Sequence, residues 1–252
     1  MGTCNAEERV KEILEKDFWE YIKKGGKEIE LYNEFSFQHE LGLYLRHELS
    51  QYGYKVQFER NTKYFAKNDT FRKHEIDIVV FKTDERDEFE KLAAIELKFP
   101  RHGQYPVRMF NCIEDILFME ELKERAHFKH TFVMAIVNHK VKGDKDDEIG
   151  RNFYDIHNKH LKKDNSIYKY FRTGVPLDRK TGTKVHESQE ISEEISYRCQ
   201  VAIDSTEEIK YPCNGKTKNS DKITPLKIIG SYNIEWRKFT EEYVGYLLET
   251  KI

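Results

Sequence analysis

The fold is decided by two apolar stretches, Glu75-Ile76-Asp77-Ile78-Val79-Val80-Phe81 and Leu92-Ala93-Ala94-Ile95-Glu96-Leu97-Lys98. Both are short and rich in apolar residues, which predicts two strands. The charged residues 82–91 between them predict a surface connection. A charged side chain inside a buried strand is costly unless it is paired or binds a metal. The charged residues within the two stretches are therefore the first candidates for function.

Asp77, Glu96 and Lys98 are expected to share one face of the sheet. Glu96 and Lys98 are two residues apart, so their side chains point to the same face of a strand. Asp77 reaches that face if the two strands pair as a hairpin. Two carboxylates and one ammonium on one face are the parts of a magnesium-dependent phosphodiester hydrolase. The alternative is that these charges face solvent at the edge of a half-exposed sheet.

Charge assigns a role to each of the three side chains. Asp77 and Glu96 would hold Mg²⁺, for which Mn²⁺ is expected to substitute, and the ion would keep waters and phosphate oxygens as its other ligands. Lys98 would orient or deprotonate the attacking water, or stabilise the negative charge that develops. Because nearby carboxylates keep a lysine charged, the electrostatic role is favoured over the role of a base.

Asp77 followed by Glu96-Leu97-Lys98 resembles the signature of the PD-(D/E)XK nuclease superfamily, which includes type II restriction endonucleases and many repair and defence nucleases. Ile76 stands where the superfamily usually has a proline. The resemblance covers roughly residues 33–138, in the order helix, strand, Asp strand, Glu-x-Lys strand, helix, strand. It implies a restriction endonuclease-like fold of the α/β class, with a mixed central β-sheet flanked by helices.

Many members of this superfamily carry a further metal-side Glu on the helix before the sheet. The segment Phe35-Ser36-Phe37-Gln38-His39-Glu40-Leu41 resembles that element, so Glu40 is predicted as a catalytic residue and metal ligand. Glu40 lies at the margin of the apolar stripe of the predicted helix, whereas Glu34 and Glu48 project closer to its centre. The choice among the three stays open, as does a solvated role for Glu40.

Gln104 is a further candidate catalytic residue. It follows Lys98 by six residues, and RecB-like members of the superfamily have a Gln at the start of this helix, although Arg108 stands where their usual Tyr would be. Gln104 and Arg108 would touch the scissile phosphate. Arg101, His102 and Arg108 form a small basic cluster suited to phosphate contacts, which predicts nucleic-acid binding. The alternative is an ordinary capped helix start.

The composition excludes several classes of protein. No apolar stretch approaches the roughly 18 residues needed to cross a bilayer, and no apolar signal region follows Met1. A cytoplasmic protein that does not associate with a membrane is therefore expected. The four cysteines contain no Cys-x-x-Cys pair and predict reduced thiols. The net charge of −2 argues against coating nucleic acid through bulk charge, but a local basic surface and bound divalent ions would serve a nuclease.

A single domain over residues 1–252 is predicted, with a core at about 33–163 and a C-terminal elaboration at about 173–252. Apolar periodicity and turn residues predict the remaining elements. These are helices at about 7–22, 33–52, 104–125, 152–163 and 237–248, strands at about 54–60, 130–138, 197–203 and 226–236, and an exposed loop at about 173–194.

The expected function is phosphodiester hydrolysis by a metal-dependent DNA endonuclease of the restriction or defence type. Two alternatives stay open, a catalytically inactive nuclease-fold protein that binds nucleic acid or acts as a scaffold, and an RNase on the same fold. The complete set of Asp77, Glu96 and Lys98 argues against the inactive protein, because buried charges are costly to keep. The sequence does not decide whether the substrate is DNA or RNA, and it leaves open the recognition sequence, the pathway and the oligomeric state. By analogy with restriction enzymes, a homodimer would fit.

Overall fold

The computed structural model describes residues 5–86, 88–100, 105–138, 200–203, 226–235 and 237–251. Within these ranges the helices are α1 (Ala6–Glu12), α2 (Phe18–Gly25), α3 (Glu34–Leu49) and α4 (Tyr105–Arg125). The strands are β1 (Lys55–Asn61), β2 (Glu75–Thr83), β3 (Phe89–Lys98), β4 (His130–Asn138), β5 (Gln200–Ile203), β6 (Tyr232–Glu235), β7 (Arg237–Lys238) and β8 (Tyr243–Glu249). No helix in the same ranges is both long and apolar enough to cross a membrane.

Helices flank a mixed six-stranded sheet whose strand order is β1-β2-β3-β4-β8-β7. The first three strands form an antiparallel meander, and β4 pairs parallel to β3. A parallel pair needs a crossover connection, which α4 supplies. β5 and β6 form a separate antiparallel pair. The predicted α/β class, with a mixed sheet flanked by helices, is confirmed.

The chain divides into two compact units. The first comprises Met1–Phe99, Glu114–Ala135 and Leu247–Ile252, and the second comprises Pro100–Ile113 and Ile136–Tyr246. The first unit holds α1 to α3, β1 to β3 and most of α4 and β4. All the side chains of the candidate site described below belong to this first unit. The single-domain organisation of the whole chain stays a prediction.

The predicted N-terminal helix is present as α1 and α2, joined by a π-helical turn at Ile13–Asp17. The side chain of Asn5 caps its start by accepting the N–H of Glu8 at 2.9 Å. The guanidinium of Arg9 pairs with Glu48 and so ties α1 to α3. The apolar stripe that predicted this helix is buried, and comprises Val10, Ile13, Leu14, Phe18 and Ile22.

The helix α3 begins at a capping box, in which Oδ1 of Asn33 accepts the N–H of Ser36 at 2.7 Å. Its buried face carries the four-residue apolar spacing that predicted it, namely Phe37, Leu41, Leu45 and Leu49. Gly42 faces β1, where an added Cβ would lie 1.9 Å from Cε1 of Phe58. The helix and the strand approach this closely because residue 42 has no side chain.

The strands β2 and β3 form the predicted hairpin and extend further than the two apolar stretches indicate. Asp84 holds the turn between them, since its Oδ1 accepts the N–H groups of Arg86 and Glu88, both at 2.8 Å. Ile78 pairs with Ile95 across the hairpin, and both side chains are fully buried. The hairpin therefore places the acidic ends of β2 and β3 next to each other.

The predicted helix at about 237–248 is wrong, because β7 and β8 form an antiparallel hairpin there. Oγ1 of Thr240 closes the turn by accepting the N–H groups of Glu242 and Tyr243, both at 3.1 Å. The aromatic and β-branched residues of Tyr243-Val244-Gly245-Tyr246 favour a strand, and Gly245 disfavours a helix interior. The apolar residues of this segment are compatible with both a helix and a strand, and the pairing of β7 with β8 selects the strand.

Of the remaining predicted elements, four strands are confirmed, and one helix and one loop fall on residues that the structure does not describe. β1 and β4 confirm the strands predicted at about 54–60 and 130–138, and β5 and β6 lie within the strands predicted at about 197–203 and 226–236. The predicted helix at about 152–163 and the predicted loop at about 173–194 lie outside the described residues.

We expect Gly42→Ala to lower the free energy of unfolding by about 1–3 kcal/mol, because the added methyl group forces the Phe58 ring or the helix to shift. Leu43→Ala, at a neighbouring position that is 40% exposed, is the matched control and should have little effect. Urea denaturation measures both. In a Phe58→Leu background the cost of Gly42→Ala should shrink. An equal cost in both backgrounds would contradict the close approach of α3 to β1.

Candidate active site

The predicted trio of Asp77, Glu96 and Lys98 is brought together at the end of the β2–β3 hairpin. The N–H of Asp77 donates to Oε1 of Glu96 at 3.2 Å, and the N–H of Leu97 donates to Oδ2 of Asp77 at 2.7 Å. Each carboxylate therefore binds the backbone of the other strand, just beyond the last strand pair. Nζ of Lys98 lies 4.0 Å from Oε2 of Glu96. Glu96 is fully buried and Lys98 nearly so, so these charges do not face solvent.

Two charged residues that the sequence did not single out complete the arrangement. Lys73, shortly before β2, places its Nζ against Oε2 of Glu96 and 2.5 Å from Oδ1 of Asp115 in α4. The other oxygen of Asp115 lies 3.2 Å from Nζ of Lys98. Asp115 is fully buried, and the acidic pair Glu114-Asp115 within the otherwise apolar run 112–118 was the signal that could have revealed it. Lys73 lies in a polar segment and gives no such signal.

The helix carboxylate at the site is Glu34 and not Glu40. Oε1 of Glu34 lies 3.6 Å from Nζ of Lys98, and its Oε2 accepts the N–H of Phe99 at 3.2 Å. Glu40 instead lies 3.4 Å from the hydroxyl of Tyr21. Six helical residues rotate a side chain by about 240°, so Glu34 and Glu40 lie on different sides of α3. The structure therefore does not bring Glu40, the predicted metal ligand, to the other acidic groups.

Glu48, the third helix carboxylate considered, is also remote from the site, because it pairs with Arg9. The residues that do meet are hereafter called the charge cluster. They are Glu34, Lys73, Asp77, Glu96, Lys98 and Asp115.

Gln38 of α3 supports the strand that carries Asp77. Its Nε2 donates to the carbonyl oxygen of Asp77 at 2.8 Å and to Oε1 of Glu59 at 2.5 Å. Glu59 has a positive φ of 47°, and the pairing of β1 with β2 skips it between Phe58 and Arg60. A residue other than glycine rarely adopts this backbone conformation without an energetic cost. Gln38 therefore links an irregular point of β1 to the backbone of Asp77.

The other predicted site residues fall outside what the structure describes. Arg101, His102 and Gln104 are not among the described residues. Arg108 lies in α4, and its side chain is also outside the description. Their predicted contacts with a scissile phosphate or with nucleic acid stay predictions.

Burial and mutual repulsion shift the acidic groups of the charge cluster. Burial raises the pKa of Asp77 to about 6, against the opposing effect of Lys98. Burial raises the pKa of Glu96 well above its usual range, and Asp77 and Asp115 raise it further. Burial would lower the pKa of Lys98, but Asp115, Glu96 and Asp77 together raise it well above the usual value. Lys98 is therefore an ammonium at neutral pH.

The charge cluster has the donor chemistry of a divalent cation site. Its four carboxylates exceed its two ammonium groups by two negative charges when all are ionised. Oxygen ligands and a net charge of −2 suit Mg²⁺, which prefers oxygen ligands and carries two positive charges. Among the described residues, however, no three His, Cys, Asp or Glu side chains converge as a ready metal site. The ammonium of Lys73 lies against Glu96 and Asp115, where the ligands of an ion would converge.

Comparison of the chain with family models, with curated proteins and with solved structures found no match. The resemblance to the PD-(D/E)XK superfamily therefore stays an expectation from the sequence. The residues of the charge cluster and their geometry are the basis on which a function can be proposed.

The raised pKa of Asp77 predicts a pH dependence of stability. Between its usual pKa of 3.8 and about 6, the folded chain holds a proton that the unfolded chain has released. The contribution of Asp77 to stability is therefore most favourable below about pH 4 and is lost as the pH rises through 6. Above pH 6 the ionised group costs about 3 kcal/mol.

We therefore expect Asp77→Asn to be more stable than the wild type at pH 7.5 in EDTA, with the advantage disappearing near pH 4. Asn keeps an oxygen that accepts the N–H of Leu97 but carries no charge. Thermal unfolding from pH 4 to 8 measures the difference. Glu20→Gln, at an exposed position of α2, is the control and should show no such trend. A constant difference between wild type and Asp77→Asn across this range would contradict the prediction.

Proposed function

We propose that this chain is a metal-dependent nuclease of the PD-(D/E)XK type that hydrolyses phosphodiester bonds, with DNA as its substrate and Mg²⁺ as its cofactor. The observation that carries the proposal is the convergence of half-buried Asp77 with buried Glu96 and Lys98 at the end of one hairpin. The order of elements from α3 to β4, namely helix, three strands, helix and strand, supports it, because this is the order that the superfamily resemblance implies.

The energetic cost of the charge cluster favours a catalytic role over a scaffold. Removing charges from water costs several kcal/mol per ion, and well-packed apolar residues in their place are often equally stable or more so. The raised pKa values of Asp77 and Glu96 indicate that part of this cost is left uncompensated within the chain. Perturbed pKa values of this kind concentrate at functional sites. An inactive scaffold gains nothing from keeping such a site.

Asp77, Glu96, Asp115 and Glu34 are the residues that would hold Mg²⁺. A bound Mg²⁺ lowers the pKa of a water molecule and neutralises charge on the reacting phosphoryl group. Within the chain, Gln38 holds the backbone of Asp77, and the N–H groups of Asp77 and Leu97 orient the two strand carboxylates. These contacts fix the position of the acidic oxygens before any substrate arrives.

Lys98 would supply positive charge rather than act as a base. Its pKa is raised well above the usual value by the surrounding carboxylates, so it carries its proton at neutral pH. Its Nζ donates to the carbonyl oxygen of Leu97 at 2.8 Å, which fixes the ammonium beside Glu96. A fixed ammonium in a buried site stabilises negative charge that develops on a phosphoryl oxygen. The proton of the attacking water must then leave by another route.

Cleavage assays with the purified protein test the proposed function. We expect metal-dependent cleavage of DNA that is lost in EDTA, and a loss of at least about 100-fold in Asp77→Asn and Glu96→Gln. Parallel assays with RNA of the same sequence distinguish an RNase. Circular dichroism confirms the fold of each variant. Undiminished cleavage in a folded Asp77→Asn or Glu96→Gln protein would contradict the assignment of these residues.

We expect Glu34→Gln to raise the magnesium concentration needed for half-maximal cleavage, because it removes one negative charge from the charge cluster, beside Lys98. Glu40→Gln is the matched control, since it makes the same change on the same helix beside Tyr21. Cleavage measured against magnesium concentration decides between them. A shifted curve for Glu40→Gln, with Glu34→Gln like the wild type, would restore the assignment made from the sequence.

A further inference from the structure

Lys73 reaches the charge cluster from a segment whose neighbouring residues are fixed elsewhere. The N–H of Arg72 donates to Oε2 of Glu121 in α4 at 3.0 Å, and the carbonyl oxygen of His74 accepts the N–H of Thr62 at 2.8 Å. Phe71, two residues earlier, is buried. The backbone on both sides of Lys73 is therefore held without any contribution from the charge cluster, and the ammonium can leave the cluster without unfolding this segment.

The Lys73 ammonium binds the two most deeply buried acids of the charge cluster. It lies against Oε2 of Glu96 and 2.5 Å from Oδ1 of Asp115, and both acids are fully buried. Among the described residues, neither oxygen of Asp115 accepts a hydrogen bond of good geometry, and the charged groups that lie against it are the ammonium groups of Lys73 and Lys98. Removal of Lys73 would leave Lys98 as the remaining cation of the charge cluster beside these acids.

The two lysines differ in access to solvent. The side chain of Lys98 is 7% exposed and donates to the backbone of Leu97, whereas the side chain of Lys73 is 27% exposed. A long flexible side chain that enters from the solvent side can move its charge into water, provided that another cation takes its place beside the buried acids. Lys98 is therefore enclosed and held by the backbone, whereas the Lys73 side chain is partly open to water.

We propose that Lys73 is a displaceable internal counter-ion, which neutralises Glu96 and Asp115 in the absence of a divalent cation and yields its place when such a cation binds. Lys73 thereby sets the affinity of the site for the metal. The inference rests on the proposed function only for the claim that these acids take a divalent cation, and it holds whether or not the chain cleaves nucleic acid. Binding of the metal alone is therefore its test.

Lys73→Met removes the charge and keeps an apolar stem of similar length. We expect it to bind Mn²⁺ at least about tenfold more tightly than the wild type, because the ion no longer competes with the ammonium. Lys73→Arg keeps the charge and adds a planar fork that binds carboxylates through two hydrogen bonds, so it should bind Mn²⁺ more weakly than the wild type. Isothermal titration calorimetry at pH 7.5 measures all three affinities.

Thermal unfolding gives a second readout of the same exchange. In EDTA, Lys73→Met should melt below the wild type, because Glu96 and Asp115 have lost a counter-ion, and saturating Mn²⁺ should close this gap. Lys82→Met is the matched control, because it also removes a lysine charge, from a pair with Glu90 that lies outside the charge cluster. It should leave the Mn²⁺ affinity unchanged.

The outcomes separate this inference from the proposed function. Unchanged or weaker Mn²⁺ binding in Lys73→Met, or tighter binding in Lys73→Arg, would overturn the counter-ion role even if the protein cleaves DNA. Tighter binding in Lys73→Met that Glu96→Gln abolishes in the same background would support it even if no cleavage is found. Should Lys73→Met fail to fold, the weaker binding expected of Lys73→Arg still tests the role.

Discussion

Glu96 brings a carboxylate into a fully buried position, and the surrounding structure is arranged to compensate that charge. The strand β2 supplies the N–H of Asp77, which donates to Glu96, and the segment before β2 supplies the ammonium of Lys73. The helix α4 supplies Asp115, which lies against the ammonium groups of both Lys73 and Lys98. Each of these elements contacts the same small volume at the end of the hairpin. The compensation is incomplete, because the acids outnumber the lysines and the pKa of Glu96 is raised well above its usual range. This uncompensated negative charge is the reason for proposing that the site takes a divalent cation.

The part of the site that the sequence predicted is the part that strand geometry determines. Glu96 and Lys98 share a face because side chains alternate along a strand, and Asp77 joins them because the hairpin turn at Asp84 fixes the register. Lys73 and Asp115 escaped prediction because their approach depends on how the segment before β2 and the helix α4 pack. Packing of this kind cannot be derived from periodicity.

Two expectations that rest on local sequence pattern differ from the arrangement that the structure shows. Glu40 was preferred on α3 because its segment resembled a superfamily element, whereas the N-terminal residue Glu34 is the one that reaches Lys98. The sequence predicts a helix at about 237–248, whereas the structure has β7 and β8 there. In both cases the local pattern suited more than one arrangement, and contacts with distant residues selected one of them.

The most direct test of a cation site at the charge cluster is a crystal structure of the protein soaked in Mn²⁺, with the ion located by its anomalous scattering. The account predicts an anomalous peak within coordination distance of carboxylate oxygens of Asp77 and Glu96, with the Lys73 ammonium no longer against Glu96. A structure in saturating Mn²⁺ that shows no peak there, with Lys73 still paired to Glu96 and Asp115, would contradict it.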